Sequence, residues 1–264
     1  MNNLYGRAAA VLAAATLILT GCSTSDSTDT STTTDASSEI SGDITVFAAA
    51  SLTATFTELG EIFEAAHPGT SVSFNFAGSS DLVAQLTQGA PGDVFASADT
   101  TNMTKAVDAD LLAGEPTNFA TNTLTIVTPP GNPKNITSFA DLANPDNLVV
   151  ICAPQVPCGA ATVKVEEAAG VDIAPVSEES AVTDVLGKVI SGQADAGLVY
   201  VTDAAGAGDQ VTTVAFPESS EAVNTYPIAV LSDSANTAAA EAFEELVTSP
   251  EGRQVLSAAG FEAP

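Results

Sequence analysis

Residues 44–76 read ITVFAAASLTATFTELGEIFEAAHPGTSVSFNF. Residues 44–50 form a short, almost wholly apolar run, as expected of a strand buried on both faces. Ser51 then opens a different pattern, in which Phe56, Leu59, Ile62, Phe63 and Ala66 recur at helical spacing. Pro68 and Gly69 stop that helix. Residues 71–76 alternate polar and apolar, as a strand does. Strand, helix and strand within one such stretch are βαβ arithmetic, and βαβ arithmetic predicts a parallel sheet.

The pattern continues outward. Gly78–Ser79–Ser80–Asp81 opens a second helix over 82–88, residues 94–97 make a third strand, and 100–109 a third helix. A second series begins with a strand at 124–128. Strands follow at 149–151, 196–200 and 211–215, with helices over 160–169 and 181–190. Residues 226–231 return the chain to the first series, and helices over 237–247 and 250–259 close it. The expected fold class is α/β with two lobes, spanning 43–122 and 123–225, with 226–264 completing the first. The crossings between lobes are expected near Asn122–Leu124 and Thr225–Tyr226.

The first residues are not part of that fold. Arg7 precedes an apolar run over 8–19 that is too short to span a bilayer comfortably, and the run ends in Leu19-Thr20-Gly21-Cys22. This reads as a secretion signal over 1–21. Its end resembles the lipobox of bacterial lipoproteins, which would make Cys22 the lipidated N-terminus; an uncleaved anchor or an ordinary signal is the alternative. Residues 22–42 are Ser, Thr and Asp with almost nothing apolar, so they cannot bury enough surface to offset their ordering entropy and read as a tether.

The net charge is −27, and Arg7 is the only charge in the signal, so its removal leaves −28. That excess argues against nucleic acid and anionic membrane surfaces as partners. Because the carboxylates are scattered, they read as a solvated surface. Of the three cysteines, Cys152 and Cys158 remain once Cys22 is set aside, and an extracytoplasmic pair predicts a disulfide. A metal site is the rival, but two thiolates and the single histidine, His67, supply too few ligands.

Catalytic patterns are missing. There is no Gly-x-Ser-x-Gly elbow, His67 sits before a proline at a helix end, and no spacing singles out a pair of carboxylates. The chain does not read as an enzyme, and a secreted hydrolase is the less favoured reading. What the chain does carry is hydroxyls at strand-to-helix turns, Ser51, Ser79 and Ser80, and Val182 in the first turn of a helix whose expected cap is Ser180. Helix N-termini present unpaired N–H groups and positive partial charge, so they hold anions without Lys or Arg. In an open α/β sheet such turns gather at the carboxyl edge of the strands. Each serine could also merely cap its own helix.

Several motifs decide between these readings. TVFAAASLT (45–53), FAGSSDL (76–82), GAPGDVFASAD (89–99), VPCG (156–159), GLVY (197–200), FPE (216–218) and YPIAV (226–230) together resemble the molybdate-binding proteins of ABC transporters, in the same order. The resemblance implies a two-lobed periplasmic-binding-protein fold of type II. Each lobe would be a mostly parallel sheet flanked by helices, with the ligand in the cleft. It implies five ligand-holding positions. Ser51 and Ser79 would act through hydroxyl and N–H, Cys158 and Val182 through backbone N–H, and Tyr200 through its phenol. Relatives often carry Ala where this chain has Cys158, a change compatible with a backbone role. The resemblance further implies molybdate or tungstate as ligand, no cofactor and no direct protein–metal ligand. An ABC permease would be the partner, and the protein would be a monomer held outside the cytoplasm by lipid. A binder of another oxyanion, such as sulfate, is the nearest alternative.

Overall fold

The computed structural model describes residues 40–264; the leader, most of the tether and Cys22 lie outside the described residues. The elements run β1 (Gly42–Ala49), a 3-10 turn (Ala50–Leu52), α1 (Thr53–Ala66), β2 (Thr70–Ala77), α2 (Ser79–Thr87), β3 (Val94–Ala96), α3 (Thr100–Asp108) and β4 (Thr117–Asn122). Then come β5 (Leu124–Thr128), β6 (Val149–Cys152), α4 (Pro157–Ala169), β7 (Ser177–Glu179), α5 (Val182–Ile190), β8 (Ala196–Tyr200), α6 (Val201–Ala207) and β9 (Thr212–Val214). Last are β10 (Asn224–Val230), α7 (Thr237–Thr248) and α8 (Pro250–Ala258).

These strands build two five-stranded sheets, ordered β2-β1-β3-β10-β4 and β7-β6-β8-β5-β9. Each sheet is mixed. The βαβ strands β2, β1 and β3 run parallel, as do β7, β6 and β8. The strands at the crossings between sheets, β10 with β4 and β5 with β9, pair antiparallel to their neighbours. A chain that leaves one sheet along a strand and returns along another must reverse direction, so antiparallel pairing collects at the crossings.

Sheet one is buried on both faces, as the apolar first strand requires. Val46 and Ala48 pack with Phe56, Leu59 and Phe63 of α1 and Phe243 of α7. The intervening Phe47 packs on the other face with Leu82, Leu86 and Met103. Phe243 meets Phe56 and Phe63 edge-on, with ring centroids 5.9 and 5.6 Å apart. The second lobe has its own core, from Leu124 and Ile126 through Val149, Val165, Val185 and Leu198.

One residue, Thr123, separates β4 from β5 and makes the first crossing. The second lies over 215–223, ahead of Asn224, so Thr225 and Tyr226 already belong to sheet one and not to the connection. Pro227 has no N–H to give the ladder, and the β10–β4 register shifts between Tyr226 and Pro227.

Candidate functional site

The carboxyl ends of β1, β2, β6 and β8 meet across the two sheets. A small cavity, partly open to solvent, lies among them. Its wall contains Ser51 from the turn after β1, Ser79 from the start of α2, Cys158 from the start of α4, Val182 at the first position of α5 and Tyr200 at the end of β8. All five positions singled out in the sequence line this one cavity. Ala49, Ala50, Gly78, Ala98, Val156 and Pro157 complete the wall, so none of the lining side chains is charged.

The helix ends explain how a neutral wall can be polar. The residues before α2, α4 and α5 are Gly78, Val156 and Ala181, and none of them caps its helix with a side chain. The first-turn N–H groups of these helices therefore have no capping side chain to satisfy them. By contrast, Asp99 caps α3 and Ser249 caps α8, and neither helix opens on the cavity. Pro157 occupies the first position of α4 and has no N–H, so the Cys158 N–H is the first donor that helix can offer. Ser180 does not cap α5, contrary to expectation: Ala181 takes that place, and the Ser180 carbonyl lies instead against Gly78 of the other lobe.

The hydroxyls are held in place by protein bonds. Ser79 Oγ accepts the Ala98 N–H at 3.0 Å, and Tyr200 Oη accepts the Asn224 side-chain N–H at 2.9 Å. Ser79 Oγ thus has one acceptor site filled by protein and its own proton left to donate, while the Tyr200 hydroxyl also faces the Tyr226 hydroxyl. Ser51 Oγ lies 3.0 Å from Tyr226 Oη, and either hydroxyl can donate in that pair. Burial pushes both phenols above their ordinary range, so both keep their protons.

Two carboxyl groups stand one layer back. Asp99 is bonded by Asn102 through backbone and side chain, at 2.8 to 3.1 Å. Asp203 accepts the Tyr200 N–H at 3.1 Å. It keeps a sliver of exposure, yet burial pushes its carboxyl up to about 7. Cys152 and Cys158 are joined by a disulfide, with Cα atoms 5.6 Å apart. It pins the end of β6 to the first turn of α4. Gly159 beside it is required by space: a Cβ there would stand 2.0 Å from the Ala153 carbonyl oxygen. Among the described residues no group of three or more His, Cys, Asp or Glu side chains could hold a metal ion.

Two residues near the wall were not singled out. Asn224 donates to the Ala98 carbonyl at 2.8 Å as well as to Tyr200, and so ties the lobes together behind the cavity. Tyr226, read from the sequence as a structural residue of the hinge, contacts Ser51 and stacks edge-on to Tyr200 with centroids 5.9 Å apart. Nothing local marks Asn224, and the YPIAV motif that Tyr226 heads gives no sign of its contacts, because the partners of both residues lie far away in the chain.

Residues 44–262 match the family model of the bacterial extracellular solute-binding proteins. The chain is 58% identical over 221 residues to the molybdate-binding protein ModA of Mycobacterium tuberculosis H37Rv, a match covering 84% of this chain and 85% of that one. It is 30% identical over 233 residues to the protein of the same name from Escherichia coli K12, covering 83% and 89%. Among solved structures, the periplasmic molybdate-binding protein of Azotobacter vinelandii superposes with a TM-score of 0.70 at 23% identity, covering 84% and 99%. The sulfate-binding protein SubI of M. tuberculosis gives 0.73 at 19%, covering 84% and 87%. At those identities the superpositions speak for the fold alone, and they do not separate the two anions. The family match spans nearly all of the described chain, so the protein belongs to the bacterial extracellular solute-binding proteins.

Proposed function

We propose that this protein binds molybdate, and also tungstate, outside the cytoplasm and delivers it to an ABC-type importer. The observation that carries the reading is the neutral wall, in which Ser51, Ser79, Cys158, Val182 and Tyr200 surround one cavity without a charged side chain among them. Uncapped helix ends and acceptor-filled hydroxyls suit a fully deprotonated dianion, whose oxygens only accept. Hydrogen bonds to a charged group in such a sheltered cleft are stronger than in water, so no counter-charge is needed. Hydrogen phosphate brings a proton that needs an acceptor, and a wall of donors leaves it unpaired. The 58% identity to a protein named for molybdate binding supports molybdate over sulfate.

The activity is capture and release, without turnover. We further propose that Cys22 carries lipid, which would hold a monomeric binding domain at the membrane on its 22–42 tether. The Leu19-Thr20-Gly21-Cys22 ending supports that reading.

Thermal unfolding tests the ligand. Molybdate or tungstate at a hundred times its dissociation constant should stabilise the folded state by about 2.7 kcal/mol. For a domain of this size the midpoint should rise by roughly 5–10 °C. Phosphate should leave it unmoved, and sulfate should shift it less. An equal shift with phosphate refutes the donor-only wall.

A further inference from the structure

The lobes touch at one place where no side chain fits. Gly78 ends the turn between β2 and α2 in the first lobe, and Ser180 precedes α5 in the second. A Cβ built on Gly78 would stand 2.0 Å from the Ser180 carbonyl oxygen and 3.4 Å from a Val156 methyl. That oxygen is backbone and cannot swing aside as a side-chain tip would. Both residues beside the gap belong to the second lobe, so only the approach of the lobes brings them there.

Gly78 itself does not need to be glycine for its own conformation. Its φ and ψ are −60° and 139°, a region open to any residue. The requirement for a bare backbone therefore comes from the other lobe. Other bonds cross the cleft in the same arrangement: Asn102 to the Gln155 carbonyl and Asn224 to the Pro157 carbonyl, each at 3.5 Å. The cavity walls of the two lobes face each other in this arrangement.

We infer that Gly78 sets how far the cleft can close, and that a side chain there holds the lobes apart without disturbing either one. This inference rests on the reading of the cleft as the oxyanion site. Gly78 is a positioning residue: it lets Cys158, Val182 and Tyr200 of the second lobe reach a ligand already held by Ser51 and Ser79. A methyl group at this position penalises the closed state and leaves the open state as it was. The cost falls on dissociation, because an incompletely closed cleft releases its ligand sooner, while encounter with the open form is unchanged.

The test compares wild type, Gly78→Ala and Gly187→Ala, with sodium molybdate as the probe. A Cβ built on Gly187 would meet nothing within 4 Å, so that variant serves as the control. Molybdate association and dissociation rates, the radius of gyration with and without molybdate, and the melting midpoint without ligand are measured for each. Gly78→Ala should keep the unliganded midpoint within about 2 °C of wild type, about the shift expected from 0.5–1 kcal/mol. It should release molybdate at least tenfold faster at a similar association rate, and lose most of the ligand-induced compaction. Gly187→Ala should match wild type in both rates and in compaction, with its midpoint raised by a few degrees at most, since Ala favours an exposed helix interior by about 0.5–1 kcal/mol over Gly. Wild-type affinity and full compaction in Gly78→Ala overturn the inference while leaving the functional reading intact. So does a large drop in the unliganded midpoint, because the glycine is then needed by the open form too. A wild-type protein that ignores molybdate, tungstate and sulfate removes the functional reading and this inference with it.

Discussion

The hydroxyls of Ser51, Ser79 and Tyr200 and the backbone N–H groups of Ser51, Ser79, Cys158 and Val182 divide the work of the proposed site, and substitution separates side-chain from backbone roles. Ser51→Ala or Tyr200→Phe removes one donor to a charged ligand, a loss of about 1.5–3 kcal/mol, or roughly ten- to a hundredfold in affinity. Val182→Ala keeps its N–H and should cost much less. Tyr226→Phe removes the hydroxyl beside Ser51 but none from the wall; it should cost a few-fold, less than Tyr200→Phe. Titration calorimetry on variants with intact melting curves reads all four. If Val182→Ala weakens molybdate binding as much as Ser51→Ala does, the backbone assignment fails. Ser51, Ser79 and Val182 were legible in the sequence because strand-to-helix turns are local features with local signals, whereas Cys158 and Tyr200 were reached only through the resemblance of their motifs to a known family. Asn224 and Tyr226 were not, because what matters about them is a contact with Tyr200 or Ser51, brought about by the return of β10 to sheet one. Ser180 misled for a related reason. A serine just ahead of a helix reads as its cap, and only the approach of Gly78 shows that its carbonyl has another neighbour.

At the scale of elements, the long apolar and periodic segments were readable, and the short polar ones were not. β4 is TNFATN, β7 is SEE and α6 is VTDAAGA. None has the run of apolar residues that marks a strand or helix; β4 and β7 lie at sheet edges, where one side needs no partner. α6 nevertheless carries a testable feature. Asp203, at its start, accepts the Tyr200 N–H, and burial raises its carboxyl from 3.8 to about 7. A carboxyl whose folded value lies above its unfolded one holds its proton longer in the folded state. Its stabilising contribution is complete below about pH 4 and is lost as pH rises to about 7. Asp203→Asn keeps an acceptor for Tyr200 and cannot ionise. Between pH 4 and 7 the melting midpoint of wild type should therefore fall relative to that of the variant, and above about pH 8 the gap should stay constant. Two parallel curves across that range would show that Asp203 is ionised in the folded protein throughout.

The whole molecule sets its surface against its site. A net charge of −27 surrounds a wall with no charged side chain, so the long-range field repels the dianion that the cleft is proposed to hold. Salt screens that field over about 10 Å at 0.1 M and leaves short contacts inside the cleft largely alone. Molybdate association should thus speed up as ionic strength rises from roughly 10 to roughly 200 mM, with dissociation nearly constant, in stopped-flow mixing. A slower association in salt would point to a local basic attraction that no lining residue supplies. The two-lobed architecture followed from the order of strands and helices, whereas the mixed character of the sheets did not, because alternation along a chain says nothing about the direction in which a returning strand pairs. The most direct test of the account is a crystal of the protein grown with molybdate and measured above the molybdenum K edge. The account expects one strong anomalous peak between the lobes, with its oxygens within hydrogen-bond reach of the hydroxyls of Ser51, Ser79 and Tyr200 and the N–H groups of Cys158 and Val182. A peak elsewhere on the molecule, or an ion in the cleft held by a charged side chain, contradicts it.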